Sequence, residues 1–194
     1  AKGDVRIENL DENIEILGDE LTYFKEKEKI VLNNNVNINF QKSIFFNTNK
    51  IVYDKLNNQI LVKSISNFKD KFGNKVSSKE SKFLLRKKLL KIKSVKMIDE
   101  LNNEYYFDNA LVDFKTNEII ADGIKIDFFK SSFGNIENDP RLRGNYFFSN
   151  NNQSLIKKGV FTTCKKNSDK CPPWQLKAQE IKHDKSKKTI YYKN

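Results

Sequence analysis

The stretch Tyr53-Asp-Lys-Leu-Asn-Asn-Gln-Ile60 places an aromatic and an aliphatic residue seven positions apart, with an acid and a polar patch between them. The patch contains Asn57 and Asn58. Asparagine favours turns because its side chain bonds to nearby backbone groups and because it tolerates the left-handed conformation. On its own, this stretch predicts a turn that joins two strands.

The same spacing recurs along the chain. An aromatic, valine or histidine residue stands seven positions before an aliphatic residue at four further places, namely Tyr23 and Ile30, Phe83 and Leu90, Val112 and Ile119, and His183 and Ile190. The occurrences at positions 23, 53 and 83 are 30 residues apart, and position 112 follows 29 residues later. Because self-similarity at a fixed period indicates a repeat architecture, we predict a strand–turn–strand unit that is used repeatedly.

The segments beside these turns have the pattern of strands. Val36-Asn-Ile-Asn-Phe40 and Ile124-Lys-Ile-Asp-Phe128 alternate apolar and polar residues, which is typical of a half-buried strand. Residues 81–101 also fit an amphipathic helix, but the repeat register and the alternation from Leu90 to Ile92 favour strand, turn and strand. We therefore predict an antiparallel meander of about a dozen strands, closed as a barrel, as a two-sheet sandwich or jelly roll, or as a stack of hairpins.

The composition describes a basic chain of one sizeable domain or at most two small ones. It has 194 residues and a formal net charge of +11, which suggests an anionic partner such as nucleic acid, phosphorylated lipid or a membrane surface. The abundance of Lys, Asn and Ile together is also what AT-rich codons produce. Lysines that cluster at turns, as at Lys25, Lys27 and Lys29, indicate a solvated rim, whereas a base-stacking sheet requires exposed aromatic residues among the lysines.

Nothing in the sequence predicts an enzyme, a metal site or a cofactor. The one histidine, His183, occupies the turn-flanking position that other repeats fill with an aromatic residue or valine, which favours a structural or solvated role. There is no glycine-rich phosphate loop and no nucleophile elbow. The two cysteines, Cys164 and Cys171, cannot build a structural zinc site alone. The chain starts without a signal peptide, which fits either a cytosolic protein or a mature fragment.

A series of motifs in the C-terminal third resembles a known family. The motifs are Asn138-Asp-Pro-Arg-Leu-Arg-Gly144, Gly159-Val-Phe-Thr-Thr-Cys164, Pro172-Pro-Trp-Gln-Leu-Lys-Ala178 and Ile181-Lys-His-Asp184. In this order they resemble the periplasmic N-terminal domain of the OstA family of organic solvent tolerance proteins, the LptD-type proteins that assemble lipopolysaccharide (LPS) in the outer membrane. The upstream Gly18-Asp-Glu-Leu-Thr-Tyr23 and Asn35-Val-Asn-Ile38 look like the OstA repeat, which is less specific because bridge components of LPS transport share it.

The resemblance implies a fold and a role. The fold is an open V-shaped antiparallel β-jelly roll over residues 1–194, a single periplasmic domain whose last strands, in residues 161–194, lead toward a C-terminal outer-membrane β-barrel. The role is to receive LPS from a periplasmic bridge protein of the same fold, docked edge to edge, and to pass it to the barrel at the periplasmic face of the outer membrane. The plug lipoprotein of the barrel, LptE, is a further implied partner.

The alternatives are a bridge component of the same transport system and, from another class, a basic nucleic-acid-binding β-domain. The resemblance implies neither catalysis nor nucleic acid binding. It also implies that strands within about residues 14–40 carry the edge on which the bridge protein docks by strand addition.

The resemblance also implies that the alternating apolar positions line a lipid-binding groove. A slip of one residue would invert the face of any one strand. The predicted groove residues are Val36, Ile38, Phe40, Ile51, Tyr53, Ile60, Val62, Leu90, Ile92, Ile124, Ile126 and Phe128.

Charged and sulfur-containing residues of the motifs also acquire expected roles. Arg141 and Arg143 are either contacts for anionic groups or a pair on a surface loop without a ligand. In an oxidising periplasm both cysteines are expected to be bonded. Cys164, after Thr-Thr, matches a family cysteine that pairs with the barrel; a bond between Cys164 and Cys171 is the alternative, and Cys171 departs from the best-known pattern.

Overall fold

The computed structural model describes residues 1–40, 44–69, 73–166 and 173–194. These residues form seventeen β-strands and two short 3-10 helices, and their hairpins pair in antiparallel fashion. The predicted all-β antiparallel fold is therefore confirmed. None of the described helices has the length and apolarity needed to span a membrane.

The chain divides into two compact units, Ala1–Val95 and Lys96–Asn194, each of which is described by itself. The strands of unit 1 are β1 Lys2–Asn9, β2 Ile14–Phe24, β3 Lys29–Phe40, β4 Ile44–Asp54, β5 Gln59–Val62, β6 Ser66–Lys69, β7 Lys75–Ser78, β8 Glu80–Leu84 and β9 Leu89–Ile98, whose last three residues fall in unit 2. The strands of unit 2 are β10 Glu104–Asp113, β11 Glu118–Asp122, β12 Lys125–Asp127, β13 Arg141–Arg143, β14 Tyr146–Ser149, β15 Gln153–Thr162, β16 Leu176–Asp184 and β17 Thr189–Lys193. The 3-10 helices are Lys25–Lys27 and Lys130–Phe133.

The repeated spacing in the sequence corresponds to cross-strand pairing. Tyr53 on β4 lies directly opposite Ile60 on β5, so the ends of the opening stretch are partners across its hairpin. The same pairing joins Tyr23 with Ile30, Phe83 with Leu90, Val112 with Ile119, and His183 with Ile190. The predicted strand–turn–strand unit is confirmed at all five places, including β8 and β9 in the segment that also fitted a helix.

Each hairpin ends its turn with a residue in the left-handed conformation. In the opening stretch this residue is Asn58, with a φ of 47°, and its amide donates to the carbonyl of Lys55 at 3.2 Å. The left-handed conformation costs an ordinary residue roughly 1–2 kcal/mol, so the tertiary pairing of the strands must hold it in place. The equivalent residues are Glu28, Lys88, Asn117 and Lys188, with φ between 47° and 57°.

An aspartate stabilises three of these turns. The buried carboxylate of Asp54 accepts hydrogen bonds from the backbone amide of Asn57 at 3.1 Å and from the side-chain amide of Asn57 at 3.0 Å. The side-chain bond from Asn57 is the main reason why the pKa of Asp54 lies below its ordinary value. Asp113 and Asp184 accept bonds from backbone amides of their own turns in the same way.

A second irregularity follows the turns by six residues, and we call it the corner. After the turns that end at Glu28, Lys88 and Asn117, the corner residues are Asn34, Ser94 and Gly123, with φ of 62°, 50° and 60°. Near the corners, a strand changes the strand with which it pairs. For example, β4 pairs with β6 through residues 45–48 and with β5 through residues 52–54. This splitting explains why there are more strands than the alternation predicts.

Two glycines of unit 2 let neighbouring backbone approach buried isoleucines. A Cβ atom at Gly159 would lie 2.3 Å from Cδ1 of Ile181, and one at Gly144 would lie 2.4 Å from Cγ2 of Ile156. Both isoleucines are only 6% exposed. The two glycines, which belong to the motif series of the C-terminal third, therefore have a packing role.

Candidate functional site

The inner face of unit 1 carries an apolar row that crosses the strands near the turns. Ile30, Tyr53, Ile60, Phe83 and Leu90 occupy successive cross-strand positions from β3 to β9. The last four of these side chains are at most 7% exposed. No charged residue interrupts the row, so its apolar surface is continuous from strand to strand.

A second apolar row lies beyond the corners. Ile16, Ile38, Phe46, Phe68 and Val76 are successive cross-strand partners on β2, β3, β4, β6 and β7. All of them are buried except Phe68, which is half-buried. The repeat therefore builds two apolar rows in unit 1, one before and one after the corners.

Nine of the predicted groove residues lie in unit 1, and all nine are on this inner face. Their exposed fractions do not exceed 7%: Val36, Ile38, Phe40, Ile51, Tyr53, Ile60, Val62, Leu90 and Ile92. Lipid binding by this face stays a prediction, because burial of this degree also describes a packed core.

Sequence reasoning missed several side chains of the same face. Ile16, Leu32, Phe46 and Phe83 are at most 2% exposed and belong to the rows or lie between them. Alternation through Ile14, Ile16 and Gly18, or through Ile44, Phe46 and Thr48, carried the signal for the first and third of them. Phe83 was recognised only as a member of the repeat.

The two rows of unit 1 meet at Phe83. Its ring centroid lies 5.9 Å from that of Phe40 and 5.4 Å from that of Phe46, the latter in an edge-to-face arrangement. Phe46 in turn stacks on Phe68 at 5.2 Å. Since β8 has no ladder with β3 or β4 among the described residues, these ring contacts join side chains from opposed stretches of sheet.

The inner face also contains a small group of hydroxyls. Ser66, Ser78 and Ser81 are at most 2% exposed, and their Oγ atoms are 2.9 Å apart between Ser66 and Ser78 and 2.8 Å apart between Ser78 and Ser81. Each hydroxyl offers one donor and two acceptor positions. The three satisfy one another and retain acceptor capacity toward a polar group that enters the face.

In unit 2 the predicted groove residues differ in exposure. Ile124 and Ile126 are 1% and 5% exposed. Phe128 is half-buried, because β12 ends at Asp127 and the chain turns into the 3-10 helix Lys130–Phe133. The Phe128 ring joins an aromatic cluster with Phe133, Phe161 and Trp174, whose successive centroids are 5.4–6.3 Å apart.

The two arginines of the motif series are engaged by the protein itself. Arg141 donates to the carbonyl oxygens of Asp139 and Cys164. Arg143 donates to the carboxylate of Asp127 at 2.7 Å and to the carbonyl of Ile126 at 3.0 Å. Burial raises the pKa of Asp127, but the hydrogen bonds from Lys166 and Arg143 outweigh it and leave that pKa below its ordinary value. Arg141 thus binds neighbouring loop carbonyls and Arg143 binds strand β12, which favours the alternative without an external ligand.

Cys164 contacts other residues of the C-terminal motif series. Its thiol is directed to the carbonyl of Trp174 at 3.8 Å, and its amide donates to the hydroxyl of Thr162 at 3.2 Å. The interaction of the thiol itself with the side chain of Thr162 is the main cause of a lowered pKa of this thiol. Cys171 lies outside the described residues, so both alternatives for Cys164, a bond to Cys171 and a bond to a barrel cysteine, stay predictions.

The edge of unit 1 differs from the predicted one. Strands β2 and β3, within residues 14–40, both have ladder partners on two sides, because β1 pairs with β2 from Lys2 to Asn9 and β4 pairs with β3. The prediction that residues 14–40 form an edge is wrong for this unit, where β1 lies beyond β2. The polar segment Lys2–Asn9 has only Val5 and Ile7 as apolar signals, which is why alternation did not reveal it.

A shallow hollow lies on the solvent side of the second row. It is lined in part by Leu17, Asn37, Phe45 and Asn47. Asn47 donates to Asn37 at 2.8 Å, and the neighbouring Asn39 has a buried Oδ1 atom without a hydrogen-bond partner in the part of the chain that the structure describes. Its lining also includes Ile38, which is one of the predicted groove residues.

Two further observations concern the candidates for catalysis and metal binding. His183 is exposed and lies opposite Ile190 in the last hairpin. No group of three or more His, Cys, Asp or Glu side chains within the described ranges is placed to hold a metal ion. The extended feature that the repeat creates is the pair of apolar rows.

Comparisons with known proteins find similarity to solved structures. No protein-family model and no curated protein matches the chain. The chain is similar to the crystal structure of LptH from Pseudomonas aeruginosa, described as the LptA-homologous periplasmic component of the conserved lipopolysaccharide transport device. The identity is 14%, the match covers 56% of this chain and 81% of LptH, and the TM-score is 0.47. At these values the function of this chain has to be argued from its own residues.

Proposed function

We propose that this chain is a lipid-conduit domain that receives LPS from a periplasmic bridge protein and passes it to an outer-membrane β-barrel. The observation that carries the proposal is the apolar row from Ile30 to Leu90, which crosses the strands of unit 1 without a charged residue. The resemblance of the C-terminal motif series to LptD-type proteins supports the assembly role over that of a bridge component.

Acyl chains fit such a surface on physical grounds. Each CH₂ group transferred from water to an apolar environment contributes about 0.8 kcal/mol, so several chains on an apolar face bind without covalent chemistry. The basic character of the chain, with a formal charge of +11, suits the phosphate groups of the same molecule.

The lipid reaches the inner face by replacing contacts that the protein makes with itself. Phe83 is 1% exposed and packs on Phe40 and Phe46, so acyl chains must separate these rings to lie along both rows. The hydroxyls of Ser66, Ser78 and Ser81 then lie within the apolar face as acceptors for amide or hydroxyl donors of the lipid.

A bridge protein of the same fold docks by strand addition at the edge strand β1, which pairs with β2 on one side within unit 1. The barrel and its LptE plug are the partners at the outer membrane. This arrangement places the protein at the periplasmic face of that membrane. Neither step requires catalysis, a cofactor or nucleic acid.

Site-specific photo-crosslinking tests the inner face against its solvent side. A photoreactive residue at Leu90 or Ile38, which are 1% and 2% exposed, is expected to capture LPS. The matched control is Lys91, which is exposed and adjacent to Leu90 on the opposite face of β9. Equal labelling at Leu90 and Lys91 would contradict the proposal.

Two further observations separate the alternatives. A coding sequence that continues beyond Asn194 into many alternating strands with aromatic girdles supports the assembly protein, and one that stops supports a bridge component. Tight oligonucleotide binding that weakens steeply with salt would instead support the nucleic-acid-binding domain.

A further inference from the structure

The turns of unit 1 stack on one another at one end of the sheet. The amide of Lys55 donates to the carbonyl of Glu28 at 3.0 Å, and the amide of Leu85 donates to the carbonyl of Asn58 at 3.1 Å. The turns 25–28, 55–58 and 85–88 are therefore held in sequence by backbone hydrogen bonds. We call this column, together with the turn 10–13, the turn rim.

The turn 10–13 belongs to the rim because a side-chain bond ties it there. Asn58 donates from Nδ2 to the carboxylate of Glu12 at 3.0 Å, and Asn9 donates to the hydroxyl of Tyr53 at 3.1 Å. The hairpin of β1 and β2 thus ends beside the turn of β4 and β5.

Two leucines protrude from the rim. Leu10 is 86% exposed and Leu56 is 71% exposed, each within its turn. Phe24, at the start of the turn 25–28, is 46% exposed. Isolated exposed leucines are common, but leucines at the tips of adjoining turns form an apolar projection rather than a flat patch.

Cations surround these projections. Lys25, Lys27, Arg86, Lys87 and Lys88 stand in the rim turns and make no ion pair within the described residues. Two of the five acids nearby are already in ion pairs.

Two acids of the rim region pair with lysines within unit 1. Glu28 bonds to Lys55 at 2.9 Å, and Asp54 lies 3.6 Å from Lys29. Asp11, Glu12 and Glu26 make no ion pair with a described residue, so three such acids stand against five such cations. The rim therefore presents an excess of unpaired positive charge.

We infer that the turn rim of unit 1 docks on an anionic phospholipid surface. The unpaired cations meet lipid phosphates, while Leu10 and Leu56 enter the boundary between headgroups and acyl chains. A basic surface with apolar side chains on the same side is the physical signature of peripheral membrane binding. Exposed aromatic residues stand beside these cations only at Tyr23 and Phe24, at the start of one described rim turn, whereas single-stranded nucleic acid requires a series of platforms for successive bases.

Vesicle co-sedimentation tests the inference on the whole chain. Vesicles of phosphatidylcholine with an equal part of phosphatidylglycerol are compared with vesicles of phosphatidylcholine alone, at low and at raised salt. We expect the protein to sediment with the anionic vesicles and to be released by salt. The triple substitution Arg86→Gln, Lys87→Gln, Lys88→Gln should weaken partitioning roughly 100-fold, as about a fivefold loss per cation predicts.

A matched triple, Lys63→Gln, Lys69→Gln, Lys75→Gln, removes the same charge from exposed positions beyond the corners of unit 1. The double variant Leu10→Ser, Leu56→Ser is compared with a second double variant, Ile65→Ser, Leu101→Ser. The side chains replaced in this control are 69% and 72% exposed. Equal losses in the rim variants and their controls, or binding to both vesicle types alike, would overturn the inference. So would an oligonucleotide that binds more tightly than the vesicles and depends on the same rim cations.

Membrane docking by the turn rim goes beyond the proposed lipid conduit, and either claim can fail while the other holds. The vesicles contain no LPS, and the crosslinks at Leu90 and Ile38 report the inner face. A loss of vesicle binding in rim variants that still crosslink LPS separates the two functions.

Discussion

Phe83 on β8 and Phe40 on β3 pack with their ring centroids 5.9 Å apart, although their strands form no ladder with each other among the described residues. Phe83 reaches Phe46 as well, at 5.4 Å. One side chain thus joins the apolar row near the turns to the row beyond the corners. The stability of unit 1 and the access to its inner face both depend on this contact.

Replacement of Phe83 by alanine is expected to lower the free energy of unfolding by about 3–5 kcal/mol, because the ring is buried and the site loses two aromatic partners. The measurement is equilibrium unfolding in urea. Phe45→Ala is the matched control, since Phe45 is 57% exposed on the other face of β4; its effect should stay within about 0.5 kcal/mol. Similar losses for both variants would contradict the assignment of faces.

Lys88 provides a test of the turn geometry. Its φ of 55° is costly for a side chain with Cβ, whereas the adjacent Lys87 is not among the residues with positive φ. Glycine at position 88 relieves the strain, and glycine at position 87 only adds freedom to the unfolded chain. Lys88→Gly is therefore expected to be more stable than Lys87→Gly by about 1–2 kcal/mol.

Thermal unfolding followed by circular dichroism ranks these variants. Lys88→Val extends the series, because a β-branched residue tolerates positive φ least, and it should be the least stable of the three. If Lys88→Gly were no more stable than Lys87→Gly, the left-handed residue would not be a source of strain.

The sequence predicted the hairpins because the turn signal is local. Tyr53 and Ile60 are partners across a turn whose asparagines favour it, so spacing alone located the pair. The corners were not predictable in this way: Asn34, Ser94 and Gly123 share a position in the repeat but no residue type, and their conformation is imposed by strands that change partners. Strand β1 was not predicted for a third reason: it has few apolar residues, and its strand conformation comes from the ladder with β2.

The residues of the candidate site were likewise predictable only where the sequence signal is local. Alternation identified inward residues such as Val36 and Ile60 because period two fixes the face of a strand. The closure by Phe83 is a contact between residues 43 positions apart, which no local pattern encodes. Phe128 departs from its predicted environment because β12 ends one residue before it.

Gly159 should not accept a side chain. Its Cβ would lie 2.3 Å from Cδ1 of the buried Ile181, so Gly159→Ala forces one of the paired strands β15 and β16 to shift. We expect a loss of about 1–3 kcal/mol in urea unfolding, the usual cost of overpacking. Ile181→Val, combined with Gly159→Ala, should recover part of this loss because it removes the clashing methyl group. Losses that simply add in the double variant would show that the strain arises elsewhere.

Asp54 should make unfolding depend on pH. Its folded pKa lies below the ordinary 3.8, chiefly because the side chain of Asn57 donates to it; a lowered carboxyl pKa contributes stability above the unfolded value, which is lost as pH falls through the folded value. Asp54→Asn is expected to cost about 1–3 kcal/mol at neutral pH through lost hydrogen bonds.

The difference in unfolding free energy between the wild-type protein and Asp54→Asn should stay constant down to the ordinary pKa of the carboxyl group and shrink below it. Asn57→Ala, which removes the main cause, should flatten this decrease. Urea unfolding at a series of pH values measures all three proteins, and a difference that is independent of pH would refute the role assigned to the Asp54 carboxylate.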